Sequence, residues 1–199
     1  MAPKAKTKSV LAEKSAARPP VIVVMGHIDH GKSTLLDYIR QAKVAETEVG
    51  GITQAISAYE VVRPDGRKIT FIDTPGHEAF GDMRRHGASL ADIAILIVSA
   101  EEGVKPQTVE ALKAIQSAKL SYIVAINKID RPNANVEMVK QQLAEKEVMV
   151  EGYGGTIPWV AISAKTGAGI DELLELLLLT ADLAELKGEA AQPASGLVL

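Results

Sequence analysis

The chain has 199 residues, 47% hydrophobic and 24% charged, which suits one substantial globular domain with a tail. It has no cysteine, which excludes a disulfide framework and a thiolate zinc site, and no apolar run approaches the roughly 20 residues that span a bilayer. The first 20 residues carry five basic groups and one acid. That leaves −7 on the rest of a chain whose total is −3, and so acidic a body is not a general nucleic-acid binder.

Residues 1–20 are rich in Lys, Ala and Pro, show little apolar periodicity and read as a linker or tail that Arg18-Pro19-Pro20 closes. A domain is expected over residues 21–187. Val21–Met25 is β-branched and bounded by Pro20 and Gly26, so it reads as a buried strand. Ser33–Arg40 reads as a helix. Ala55–Val62 and Lys68–Asp73 read as strands joined by Arg63-Pro64-Asp65-Gly66 into a hairpin. Ile93–Ser99 is another apolar strand, and Pro106 opens a helix that runs to about Ala118. Tyr122–Ile126 is a strand, followed by a polar helix capped by Asn133 or Asn135. Pro158–Ile162 is the last strand and Gly169–Leu186 the last helix. This alternation predicts an α/β fold with a mostly parallel sheet, one antiparallel hairpin strand and helices on both faces. Ligands of such folds bind beyond the carboxyl ends of the strands, so the residues after each strand carry the chemistry.

After the first strand comes Gly26-His27-Ile28-Asp29-His30-Gly31-Lys32-Ser33-Thr34, which contains G-x-x-x-x-G-K-[ST]. This is the signature of the P-loop NTPase fold. The two glycines let the backbone turn tightly and aim its N–H groups inward, at a helix start whose dipole favours phosphate. Lys32 is placed to reach the β- and γ-phosphates, and the Ser33 hydroxyl to ligate Mg²⁺. The motif indicates a nucleoside triphosphate without naming the base.

The base is read elsewhere. Asn127-Lys128-Ile129-Asp130 follows a strand, and an ionised carboxylate only accepts hydrogen bonds. Guanine presents a ring N–H beside an exocyclic NH₂, which Asp130 can receive together, whereas adenine turns a lone pair toward it. Asn127 would hold the loop and the base edge, and Lys128 would lie its stem along the ring. Ser163-Ala164-Lys165 offers backbone donors to the guanine oxygen.

Two stretches read as switches. In Gly50-Gly51-Ile52-Thr53-Gln54, Thr53 would place a second hydroxyl on Mg²⁺ when a γ-phosphate holds the loop closed. In Asp73-Thr74-Pro75-Gly76-His77, Asp73 would hold Mg²⁺ through water and the Gly76 N–H would approach the γ-phosphate. His77 would take the catalytic, water-positioning place. The side chains of His27, His30 and His86 have no expected role in the chemistry.

Together these residues resemble the translational GTPases. Arg18-Pro19-Pro20, Gly50 through Gln54 and Asp73 through Phe80 are similar to the initiation-factor branch rather than to its elongation-type relatives. The resemblance covers about Arg18 to Leu186. It implies a cytoplasmic, monomeric enzyme that converts GTP to GDP with Mg²⁺. It also implies stimulation by the large ribosomal subunit and its RNA, which would act on His77. The process implied is initiator-tRNA placement and subunit joining. A monovalent cation, K⁺ or Na⁺, is expected beside Asp29. Position 55 is Ala, where the resemblance leads one to expect a His in many relatives. Residues 188–199 are expected to be a linker and the start of a following β-barrel domain, with initiator tRNA bound by parts further on. The alternatives are an elongation-type factor, a guanine-nucleotide-dependent binding module with incidental hydrolysis, and an ATP-using P-loop enzyme.

Overall fold

The computed structural model describes residues 16–43, 57–73 and 81–188. Six strands form one sheet: β2 (Val21–Gly26), β3 (Ser57–Val62), β4 (Lys68–Asp73), β5 (Ile93–Ser99), β6 (Ser121–Asn127) and β7 (Trp159–Ala161). Their spatial order is β3-β4-β2-β5-β6-β7. All neighbours are parallel except the β3–β4 hairpin, in which Ser57 faces Asp73 and Val62 faces Lys68.

The helices are α1 (Lys32–Lys43), α2 (Gly81–Leu90), α3 (Pro106–Ser117), α4 (Val136–Ala144) and α5 (Ile170–Leu183). Alternation along the strands decides which face each helix covers. Ile22, Val24, Phe71, Ile93, Ile95 and Ile123 point to one side and pack with Leu35 and Ile39 of α1 and the leucines of α5. Val23, Met25, Ile72, Leu96, Val98 and Val124 point to the other and pack with Ala88 of α2, Ala111 and Ile115 of α3 and Val139 of α4. The helices therefore lie on both faces, as expected, and the aliphatic core needs few aromatics. Among the described residues, no helix is long and apolar enough to cross a membrane.

Three local features refine the expectations. Asn135, not Asn133, caps α4: its side chain accepts the Met138 N–H at 2.9 Å. Helix α2 was not expected, because Gly81 and Gly87 weaken its helical propensity; packing against α3 and β2 holds it. Strand β1 (Ala16–Ala17) was also unforeseen and pairs antiparallel with β8 (Lys187–Gly188). Next to it the Arg18 guanidinium grips Asp92 with both ends, one bond at 2.7 Å, while Asp92 also accepts the Val21 N–H at 2.8 Å. The β1–β8 pair joins the two ends of the described residues, and the Arg18–Asp92 clasp lies at the amino ends of β2 and β5, opposite the phosphate loop.

Candidate nucleotide site

From β2 the chain goes to β4 on one side of the sheet and returns to β5 on the other, so a crevice opens at the carboxyl end of β2. The phosphate loop lies there. Gly26 has φ +152°, and a Cβ on it would run into the Ile97 carbonyl oxygen of β5. Gly31 has φ +90°, and a Cβ on it would run into the Asn127 amide. Both positions thus require glycine for clearance as well as for turning. Helix α1 begins at Lys32 with no acid in its first turn; the start of a helix is a ready anion-binding position, because its first N–H groups are not used by the helix ladder. Ser33 and Thr34 are exposed, as is Asp29, which turns the loop at φ +60°. The Lys32 stem is buried and its ammonium donates to the Gly26 carbonyl at 3.0 Å and the His27 carbonyl at 2.6 Å, which places a cation inside the loop.

Asp73 is 8% exposed at the end of β4 and pairs in register with Val24, two residues before the phosphate loop begins. Thr53, Gly76 and His77 lie outside the described residues.

The base loop is tied to the phosphate loop through one side chain. Asn127, 2% exposed at the end of β6, donates from Nδ2 to the His30 carbonyl at 2.8 Å. Its Oδ1 accepts the Ala164 N–H at 2.9 Å. One buried amide therefore sets the spacing between three loops, and the Ala164 N–H, expected to face a guanine oxygen, is used here to hold that spacing. Ser163, fully buried, donates from Oγ to Asp130 Oδ1 at 2.7 Å and accepts the Thr166 N–H. The Asp130 carboxylate stays exposed and is held below its usual pKa, first by the Ser163 hydroxyl. Lys128, at φ +66°, pairs with Glu102 at 2.9 Å, and Lys165 is exposed beside the same loop.

Two residues enter this site without having been expected. Gln107, in the first turn of α3, accepts the Ile28 N–H at 3.2 Å and so steadies the phosphate loop from below. Glu102 follows β5 and engages Lys128. No local pattern marks either one, because their partners are 79 and 26 residues away. His30 is fully buried under the loop, and burial with His27 alongside pushes its pKa down to about 4, so it is neutral.

A glycine-walled cradle at a helix start, with an oriented carboxylate on a neighbouring loop, is an arrangement that suits a nucleotide. The family described as "Elongation factor Tu GTP binding domain" matches residues 18–182. The chain belongs to that family.

This GTP-binding domain is 56% identical over 182 residues to translation initiation factor IF-2 of Nitratiruptor sp., covering 92% of the chain and 22% of that protein. It is 58% identical over 183 residues to IF-2 of Kosmotoga olearia, covering 92% of the chain and 26% of that protein. The chain thus spans about a quarter of the length of these relatives. Among solved structures it resembles GDP-bound aIF5B from Aeropyrum pernix, with a TM-score of 0.67 and 35% identity over 91% of this chain and 38% of that one. It also resembles the elongation factor SelB of Methanococcus maripaludis bound to a GTP analogue, with a TM-score of 0.67 and 30% identity over 83% and 34% of the two chains. The fold is therefore the P-loop fold of the translational GTPases.

Proposed function

We propose that this chain is the GTP-binding and GTP-hydrolysing switch domain of an initiation factor of the IF-2 type, acting in the cytoplasm on the ribosome. The observation that carries the guanine reading is the Ser163–Asp130 hydrogen bond, with Asn127 bridging to the phosphate loop. It fixes an exposed, ionised acceptor at a set distance from the phosphate cradle, which suits a base offering two adjacent donors.

In this reading Gly26 through Thr34 wrap the phosphates with backbone N–H groups, and Lys32 leaves its carbonyls for phosphate oxygens. Asp130, Asn127, Lys128 and the Ser163–Lys165 loop take the guanine. Ser33, Asp73 and Thr53 would hold Mg²⁺, which neutralises charge on the transferred phosphoryl group. The buried Asp73 carboxylate and the exposed Ser33 hydroxyl are oxygen donors of the kind that suits that hard cation. His77 orients the attacking water, Gly76 approaches the γ-phosphate, and Asp29 borders a K⁺ or Na⁺ site. The identities to IF-2 exceed those to the elongation factor SelB, which favours initiation over elongation. The large ribosomal subunit is then the activating partner, and initiator tRNA binds through other parts of such a factor.

Displacement of a fluorescent GDP by unlabelled nucleotides tests the base. GTP and GDP should displace it, and ATP should be weaker by about a hundredfold or more. Equal competition by ATP would sink the guanine assignment. GTP turnover with purified large subunits tests the initiation reading. Stimulation lost in His77→Ala, with GDP affinity kept, supports it; stimulation unchanged in that variant removes His77 from the chemistry.

A further inference from the structure

The two loop histidines have side chains that nucleotide recognition does not use. His30 is fully buried; its ring has a weak contact with the Ile97 backbone and makes no well-formed hydrogen bond at either nitrogen. Nδ1 of His27 is also buried without a partner. The two rings meet edge to face with centroids 4.9 Å apart. Buried imidazoles so poorly satisfied are uncommon, because each nitrogen loses its water with little replacement. Glu102 approaches the same point from the β5–α3 connection. Ligand atoms of His27, His30 and Glu102 all lie within 4.8 Å of one another.

We propose that His27, His30 and Glu102 form a binding site for a zinc-class transition-metal ion. Two imidazoles and one carboxylate suit Zn²⁺, Co²⁺ or Ni²⁺, whereas Mg²⁺ prefers all-oxygen sites. Three protein ligands leave a fourth tetrahedral position for water. Bond lengths of about 2.0–2.2 Å require the three donors to close in by small side-chain rotations. Lys128 holds Glu102 Oε1 at 2.9 Å, which orients the group and leaves Oε2 available to a metal. A bound ion would join the phosphate loop to the β5–α3 connection and, through Lys128, to the base loop. The site stands on these three side chains whether or not the loop binds nucleotide.

Calorimetry with Zn²⁺ and visible absorption with Co²⁺, both on the whole chain in excess Mg²⁺, test the site. A single equivalent should bind. His27→Ala and Glu102→Gln should each weaken it by about tenfold or more, since even supporting residues of metal sites carry that much. His86→Ala, which alters an exposed histidine on α2, should leave it unchanged. Nitrogen chemical shifts of the His27 and His30 rings should move with Zn²⁺ in the unaltered protein. Absence of binding, full binding retained in His27→Ala, or ring shifts confined to other histidines would each overturn the proposal.

Discussion

The proposed phosphate half and base half of the nucleotide site are built in opposite ways. The phosphate half is made of backbone: two glycines at positive φ, the open start of α1, and a lysine turned back onto carbonyls of its own loop. The base half is made of side chains: Ser163 on Asp130, Asn127 on two loops, Lys128 on Glu102. A backbone cradle grips any polyphosphate, because every nucleotide carries the same anion. Discrimination between bases needs donors and acceptors in fixed places, and only side chains locked by neighbours supply them. Asn127 belongs to both halves, so it is where the comparison can be broken most sharply.

Replacing Asn127 with Ala should have the largest effect. It strips the His30 carbonyl and the Ala164 N–H of their partners together, and each buried group left unsatisfied costs about 1–3 kcal/mol. Denaturant unfolding should show a loss of about 3 kcal/mol, and GDP affinity should fall by up to about a hundredfold. Retained affinity would show that the two halves are positioned independently. Gly26→Ala strikes the phosphate half alone. Its Cβ meets the Ile97 carbonyl on a buried central strand, so the backbone must shift at a cost of about 1–3 kcal/mol. Affinity for GTP and ATP should fall together; a loss confined to GTP would contradict the division of labour.

Ser163→Ala strikes the base half more gently. Asp130 keeps its charge but loses the hydrogen bond that aims it, so GDP should weaken by about tenfold while thermal unfolding changes little. The same hydroxyl is the first cause of the low Asp130 pKa. Binding uses the ionised form, so in this variant the acid-side loss of GDP affinity should begin at higher pH than in the parent; an unmoved limb would mean that Asp130 does not contact the base. The smallest effect is expected from Arg18→Ala, at the clasp remote from both halves. The Arg18 side chain is 38% exposed, so the loss should be about 1 kcal/mol of stability, with GDP affinity unchanged. A change in affinity would show that the clasp couples to the site.

Much of the fold was legible because its signals are local. The apolar runs at Val21–Met25, Ile93–Ser99 and Tyr122–Ile126 have no alternative to burial, and each coincides with a central strand. The short helix α2 was illegible for the opposite reason: with two glycines its stability comes from α3 and β2, not from its own residues. The two-residue pair β1–β8 joins segments at opposite ends of the chain and leaves no periodic trace in either. In the site, Gly26, Gly31, Lys32, Asn127 and Asp130 stood out through spacing. Gln107 and Glu102 did not, because a glutamine in a first helical turn and a glutamate in a loop are ordinary until their partners are known.

The sequence by itself determined the alternation of strands and helices, the glycine positions of the phosphate loop and the residue types that can accept guanine. These follow from side-chain periodicity, backbone freedom and hydrogen-bond inventory, which are properties of short segments. Tertiary structure alone decided that Asn127 spans three loops, that Gln107 supports Ile28, and that His27, His30 and Glu102 converge. Such contacts depend on which strands lie side by side, and that order is set by the packing of two aliphatic cores on a twisted sheet rather than by any neighbour in the chain.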